Sequence, residues 1–259
     1  MTARILLTDI ECAPAKAHIW GLFNQNIGLS QILEDPRIMG FGAKWLGDKR
    51  VQWYSEYHQD RTTMLEKARS LLDEADIVVH YNGVGFDTPW IQGELARESI
   101  PAPSPFKQLD LYKIAKRNMR FISHKLQYVS GALVADSKVA HTGHQMWVDC
   151  LEGEGDIQRR AWNMMRRYCK QDVALLEPLF HKLQPYFPAS VNLAAYDPEG
   201  PDLACQKCGS AEFLGQRGYA YTAQRAYPQH YCYPERGGCG GWTREVKASW
   251  SVASAGVVR

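Results

Sequence analysis

The sequence predicts an α/β domain spanning residues 1–187, followed by a small module that a bound metal stabilises. Three observations support this. Apolar runs typical of strands alternate with amphipathic helical segments in the first half, mostly helical sequence follows, and four of the seven cysteines lie in the C-terminal fifth. A chain of 259 residues is long enough for one sizeable core and a small appended module.

Three segments are predicted to form strands. The apolar run at residues 4–8 indicates a buried strand. Residues 37–57 contain two aromatic and aliphatic stretches around a turn at 46–49, which predicts a hairpin. The run DIVVHYN at 76–82 predicts a second buried strand, which ends in a glycine-rich turn.

Helices are predicted between and after these strands. In residues 61–74, Met64, Ala68 and Leu72 fall on one helical face. A second helix is expected to begin with Thr88 as its cap and Pro89 in its first turn. Further helices are expected at 109–117, 125–133 and 156–184, whereas the polar, glycine-containing segment 136–155 predicts a loop.

The C-terminal part divides by composition. Residues 188–204 are rich in proline, glycine and small residues, which is typical of a linker. We expect a metal-binding module at 205–247 and a tail at 248–259.

Overall charge does not identify a binding partner. A net charge of +2 and a pI of about 8.1 are too mild to prove binding to a polyanion. The N-terminal residues lack the layout of a secretory signal, and no run approaches the ~18 apolar residues that a membrane span needs. We therefore expect a cytoplasmic protein that does not bind membranes.

Two carboxylates, Asp9 and Glu11, follow the first apolar run in the sequence LTDIE. Residues two apart in a strand point to the same face, so both carboxylates should project together at the end of the first strand. Taken alone, the pair is more simply explained as a strand end that faces solvent.

Two later stretches supply further polar groups. In NGVGFD, at 82–87, the glycines allow a sharp turn and Asp87 precedes a helix. In YCKQD, Tyr168 and Asp172 are four residues apart and lie on one face of a predicted helix. Four carboxylates in all could hold the hard divalent cations Mg²⁺ or Mn²⁺, which prefer oxygen ligands.

The ordered set TDIE, NGVGFD and YCKQD resembles the three exonuclease motifs of the DEDD superfamily of 3′-5′ exonucleases, which have a ribonuclease-H-like fold. The resemblance covers roughly residues 4–184. It is closer to the branch with tyrosine in the third motif, as in the proofreading domains of family B DNA polymerases. The other branch has a histidine where this sequence has Arg167.

The resemblance implies a role for each motif residue. Asp9, Glu11, Asp87 and Asp172 would hold two Mg²⁺ or Mn²⁺ ions, and Tyr168 would position the attacking water. We further expect Asn82 to support the substrate strand and Phe86 to stack on terminal bases, although both are equally compatible with structural roles. Asp110 has two interpretations, as support for the site or as a helix cap.

The cysteine cluster predicts a structural Zn²⁺ site. The four cysteines are arranged as CQKC and, after 23 intervening residues, CYPERGGC; they are Cys205, Cys208, Cys232 and Cys239. Because the second pair is unusually wide, His230 is an alternative to Cys239 as the fourth ligand. The tyrosines and arginines between the two pairs would suit either a small β core or nucleic-acid stacking.

Together these features predict a metal-dependent 3′-5′ exonuclease that releases nucleoside monophosphates from DNA, preferably single-stranded, with a zinc ribbon that helps to hold nucleic acid. Two alternatives remain open. The substrate could instead be RNA or a structured branch, or the protein could act in trans as the proofreading subunit of a DNA polymerase or with another replication or repair protein.

Overall fold

The computed structural model describes residues 3–135 and 143–251. Contacts divide the chain into two compact units. The N-terminal unit comprises Arg4–Lys116 and Arg120–Leu179, and the C-terminal unit consists chiefly of the chain from Phe180 onward. The domain boundaries at 187 and 205 stay a prediction.

A five-stranded mixed sheet forms the centre of the N-terminal unit. Its strands are β1 (Ile5–Ala13), β4 (Arg37–Trp45), β5 (Gln52–Ser55), β6 (Ile77–His80) and β7 (Lys107–Asp110). Their order in the sheet is β5-β4-β1-β6-β7; β1 pairs in parallel with β6 and antiparallel with β4, and β6 pairs in parallel with β7. A two-stranded ribbon, β2 (Lys16–Ala17) with β3 (Ile32–Glu34), lies between β1 and β4 in the chain. The predicted α/β class with a mixed sheet is confirmed, and β4 and β5 form the predicted hairpin.

The first strand is longer than predicted. It continues to Ala13, so Asp9 and Glu11 lie within β1 rather than at its end. The strand continues because β4 pairs with β1 from Leu6 to Ala13 and supplies hydrogen-bond partners for the backbone of β1 beyond both carboxylates.

One face of the sheet is covered by α1 (Arg61–Asp73) and α2 (Asp87–Arg97). Helix α1 begins at the predicted place because the Asp60 carboxylate accepts the Thr63 N–H at 2.9 Å. Its apolar residues pack against Leu6, Phe41 and Val78 of the sheet.

The prediction that Thr88 caps α2 is wrong. The helix already begins at Asp87, with Phe86 in the cap position and no side-chain cap bond. The Thr88 hydroxyl instead donates to Gln108 Oε1 at 2.9 Å. A negative charge in the first turn is favourable at the positive end of the helix.

The predicted helix at 109–117 begins later than expected. Residues 107–110 form β7, and α3 (Leu111–Asn118) follows at once. These residues form a strand because pairing with the edge of β6 outweighs the helical pattern of the sequence. The register of this pairing places Asp110 beside His80. Helix α4 (Leu126–Val134) agrees with its prediction.

The second face of the sheet is covered by α5 (His144–Glu152) and α6 (Gly155–Leu183). The prediction of a loop at 136–155 is wrong for its second part, and residues 136–142 lie outside the described structure. Met146 and Cys150, one helical turn apart, pack against Trp162 of α6. Helix α6 is a single helix of 29 residues that contains Pro178.

The C-terminal unit contains a small antiparallel sheet in which β9 pairs with β8, β10 and β11. These strands are β8 (Leu214–Tyr221), β9 (Arg225–Cys232), β10 (Trp242–Arg244) and β11 (Trp250–Ser251). Within the segment interpreted as a linker, Val191 is buried and Leu193–Tyr196 forms a 3₁₀ turn. Of the predicted tail, residues 252–259 lie outside the described structure.

None of the helices that the structure describes is both long and apolar enough to span a lipid bilayer.

Candidate active site

Asp9 and Glu11 project from the same face of β1. In the ladder with β4, Asp9 lies opposite Gly42 and Glu11 lies opposite Gly40. The register then shifts, because Cys12 pairs with Ile38 and one residue of β4 is skipped. A bulge directly after Glu11 changes the direction of the strand, a feature common beside active sites.

Glycine at position 42 lets α6 approach the carboxylates closely. A Cβ atom on Gly42 would lie 2.7 Å from Cys169 Sγ and 3.0 Å from a methyl group of Val173, both on α6. Cys169 Sγ itself lies 3.8 Å from both the carbonyl oxygen and Oδ2 of Asp9. Asp9, Glu11 and Cys169 can each offer a ligand atom within 4.8 Å of the other two.

Asp87 reaches β1 from the start of α2. Its carboxylate accepts the backbone N–H groups of Ile10 and of Asp87 itself. Burial is the main influence on this group and raises the pKa of Asp87 to about 7, and the negative charge of Asp110 adds to the increase. The carboxylate therefore lies beside the middle of the strand that carries Asp9 and Glu11.

Asp110 holds the turn that precedes Asp87. Its Oδ1 accepts the Asn82 N–H at 2.9 Å and the Tyr112 N–H at 3.1 Å, and its Oδ2 accepts the Val84 N–H at 3.4 Å. Asn82 has φ of +69°, a conformation that asparagine tolerates better than most residues. Asp110 thus fills both roles considered from the sequence, since it supports the turn and also caps α3.

Tyr168 and Asp172 lie one turn apart on α6, on either side of Cys169 in the sequence. Asp172 is 4% exposed, and Glu11 and Asp87 are each 5% exposed. Burial raises the pKa of the Cys169 thiol well above its ordinary value, and four negative charges add to this effect: those of Asp9, Glu11, Asp172 and Asp87. All four predicted carboxylates are therefore near enough for their charges to act on this thiol, although only Asp9 and Glu11 join it in the 4.8 Å group.

The chemistry of these donors fits divalent cations. Three nearly buried carboxylates and a partly buried fourth converge from β1, α2 and α6. Bringing such negative charges together away from water is costly unless cations compensate for them. Carboxylate oxygens are the ligands that Mg²⁺ and Mn²⁺ prefer.

An open cleft of about 730 Å³ adjoins Tyr168 and Asn82. It is also lined by Tyr81, Tyr112, Lys116 and residues 122–127. We did not predict this wall, although the signal was present in the sequence as aromatic and basic residues interleaved in RFISHKLQY. The Tyr81 hydroxyl donates to the His124 carbonyl at 2.6 Å and fixes the wall to the end of β6.

Phe86 lies apart from this cleft. Its ring is 43% exposed and its centroid is 6.2 Å from that of Trp90 on α2. Both rings line a separate hollow of about 200 Å³. Of the two residues predicted to contact substrate, the structure therefore places Asn82 with Tyr168 and places Phe86 elsewhere.

The four clustered cysteines converge in the C-terminal unit. Their sulfur atoms lie within 4.8 Å of one another, and the Cys205–Cys239 and Cys208–Cys232 distances are 3.6 and 3.7 Å. A tetrahedral Zn²⁺ with ~2.3 Å bonds needs sulfurs about 3.8 Å apart, so the cluster is compatible with zinc. Cys239 lies in the cluster, whereas His230 Nε2 lies 2.7 Å from a carboxylate oxygen of Glu245.

Backbone N–H groups also point at the sulfurs. Cys239 N–H donates to Cys232 Sγ at 3.4 Å, and Gly241 N–H donates to Cys239 Sγ at 3.3 Å. Hydrogen bonds from the Cys208 and Cys239 thiols lower the pKa of Cys205. Donors of this kind stabilise the thiolate form, which is the form that binds metal.

The chain is also similar to known proteins. A family profile described as RNase_H superfamily matches residues 33–184, which is more than half of the chain. That range includes Asp87, Tyr168 and Asp172 but not the first strand. No curated protein matches the chain.

The fold also matches solved structures. One is the family B DNA polymerase from the hyperthermophilic archaeon Pyrobaculum calidifontis, with a TM-score of 0.51 and 16% sequence identity. The match covers 86% of this chain and 31% of the polymerase chain, so the chain spans less than a third of that protein's length.

Proposed function

Because the chain belongs to the RNase_H superfamily, we propose that it is a metal-dependent 3′-5′ exonuclease that removes nucleoside monophosphates from single-stranded DNA. Family membership supports nuclease activity in general. The 3′-5′ direction follows from the resemblance of TDIE, NGVGFD and YCKQD to the DEDD exonuclease motifs.

The observation that carries this proposal is the convergence of four carboxylates around one buried point beside an open cleft. Asp9 and Glu11 come from the strand, Asp87 from the start of α2 and Asp172 from α6. Two divalent cations bound by these oxygens would activate a water molecule and stabilise the charge on the leaving oxygen. Asp87, whose pKa is about 7, would give up its proton when a cation binds.

The remaining groups would bind and orient the strand. Tyr168 lines the cleft and is proposed to position the attacking water through its hydroxyl group. Lys116 and Lys125 line the same cleft and are suited to phosphate oxygens, while the rings of Tyr81 and Tyr112 are suited to stacking with bases. Such a lining favours a single strand, whose bases are exposed.

A substrate panel tests the proposal. Oligonucleotides of DNA and RNA, single- and double-stranded and labelled at the 5′ end, are incubated with the purified chain and Mg²⁺ or Mn²⁺. We expect single-stranded DNA to shorten from its 3′ end as a ladder, with nucleoside monophosphates as products. Internal cleavage, or shortening from the 5′ end, would contradict the proposed direction.

Variants tie the activity to this site. Asp9→Asn keeps the shape of the side chain and removes its charge, and should lower the rate by on the order of 100-fold or more. Asp48→Asn is the matched control, because Asp48 is exposed in the turn after β4. Equal activity of Asp9→Asn and the control would mean that another site performs the cleavage.

A further inference from the structure

The small sheet of the C-terminal unit has one buried and one exposed face. Directly paired residues of an antiparallel ladder share a face. His230 pairs with Thr243, and both are buried together with Cys232. The other face is formed by alternate residues of β9 and their partners on β10: Tyr227, Gln229, Tyr231, Trp242 and Arg244.

Aromatic rings and guanidinium groups alternate on this exposed face. The Tyr231 and Trp242 ring centroids are 4.9 Å apart. The guanidinium of Arg217 lies 5.4 Å from the Tyr231 ring centroid and 5.9 Å from that of Trp242. Further along, Arg244 lies 4.4 Å from the ring of Tyr227. Tyr227 and Tyr231 are four residues apart, so the two groups are separated by about 13 Å along the strand.

Both arginines are available to an anion. Within residues 3–135 and 143–251, no carboxylate lies within 4.0 Å of the guanidinium of Arg217 or Arg244. The adjacent acid, Glu245, is engaged with His230 of the buried face. Trp242 is 40% exposed and, with Tyr227 and Arg244, lines a hollow of about 540 Å³.

We propose that this face, formed by Arg217, Tyr227, Tyr231, Trp242 and Arg244, is a second binding surface for single-stranded nucleic acid. Rings stack on bases of any sequence, and guanidinium groups held over rings can reach phosphate oxygens between the bases. The proposal rests on the proposed function insofar as a nuclease acts on such a strand, but it concerns a surface separate from the carboxylates. The surface would hold part of the strand while its end is cut elsewhere.

Binding is measured by fluorescence anisotropy with the full chain and a 5′-labelled 20-nucleotide oligo-dT, without added Mg²⁺ or Mn²⁺. Trp242→Ala should weaken binding about tenfold, the effect expected when one stacking ring is removed. The double variant Arg217→Glu/Arg244→Glu should weaken it at least as much. It should also reduce the slope of log affinity against log salt by about 1.4, or about 0.7 for each lost phosphate contact.

Controls separate a binding defect from misfolding. Lys182→Glu makes one of the two charge reversals at an exposed position of the same unit and should leave affinity within twofold. Arg217 and Arg244 are exposed, so the charge-reversal variant tests the surface even if Trp242→Ala fails to fold. An abasic oligonucleotide of equal length should bind more weakly than oligo-dT.

Several results would overturn the proposal: wild-type affinity in the charge-reversal variant, equal affinity for the abasic strand, or equal affinity for a polyglutamate peptide. The last result would assign the surface to an acidic protein. If the chain binds oligo-dT through this face but digests no substrate, the proposed function fails and this inference stands. If the chain digests DNA and the variants bind oligo-dT normally, the proposed function stands and this inference fails.

Discussion

Gly42 and Cys169 lie so close together that a Cβ atom on the glycine would be 2.7 Å from the cysteine sulfur. This contact sets the distance between β4 and α6, the helix that carries Tyr168 and Asp172. The Lys44–Glu177 ion pair joins the same two elements. The positions of Tyr168 and Asp172 therefore depend on the lack of a Cβ atom at Gly42.

Gly42→Ala should destabilise the chain by about 1–3 kcal/mol, because the close-packed interior has no room for the added carbon. It should also lower nuclease activity by moving Asp172. Combining it with Cys169→Ala, which removes the sulfur, should recover part of the stability.

Urea unfolding measures the change in stability. Gly93→Ala is the control, since a Cβ there meets nothing within 4 Å; an equal loss in both variants would rule out the steric cause.

Asp110→Ala should loosen the turn that carries Asn82 and precedes Asp87. The substitution removes the acceptor of the Asn82, Val84 and Tyr112 N–H groups, and lost bonds to a buried charged group cost about 1–3 kcal/mol. Hydrogen exchange at residues 82–86 should accelerate and kcat should fall.

Asp110→Asn keeps one carbonyl oxygen in place and should rescue part of both effects. If both variants lowered stability equally without faster exchange at 82–86, Asp110 would be only a helix cap. This variant pair therefore separates the two roles.

His80 should make the stability of the chain depend on pH. It is 1% exposed, and burial lowers its pKa from 6.5 to about 4, despite the opposing effect of Asp110; the positive charge of Lys113 lowers it further. Between pH 6.5 and 4 the unfolded chain binds a proton at this residue and the folded chain does not. The stability that neutral His80 contributes is therefore fully present above pH 6.5 and is lost as the pH decreases toward 4, by on the order of 3 kcal/mol, whereas the raised pKa of Asp87 acts in the opposite direction.

Urea unfolding at a series of pH values measures this slope. His80→Leu should lack this loss of stability at low pH, whereas His181→Gln, at an exposed position on α6, should keep it. An unchanged slope in His80→Leu would assign the pH dependence to other groups.

Cys205→Ser should abolish zinc binding and expose the C-terminal unit to proteolysis. A closed four-thiolate site stabilises a module with a small core of its own, so losing one ligand removes most of that free energy. Metal analysis should find one zinc per wild-type chain and almost none in the variant. Cys12→Ser, outside the cluster, should keep its zinc; full zinc content in Cys205→Ser would exclude the cluster as the site.

Local chemistry explains which elements could be predicted. Helix α1 follows directly from its apolar spacing and the Asp60 cap, and the β4–β5 hairpin follows from its turn. The errors arose where a neighbouring element decided the outcome. Residues 107–110 became a strand because the edge of β6 was available, and β1 continued past Glu11 because β4 pairs with it.

Residue type and local periodicity were enough to identify the ordered carboxylate motifs, the α/β class and the cysteine spacing. Three relationships became visible only once the chain was folded: Asp87 bonds to the strand carrying Asp9, Phe86 lies outside the cleft, and arginines and aromatic rings share one face of the small sheet. These relationships join residues far apart in the chain. They depend on strand register and helix packing, which local sequence does not specify.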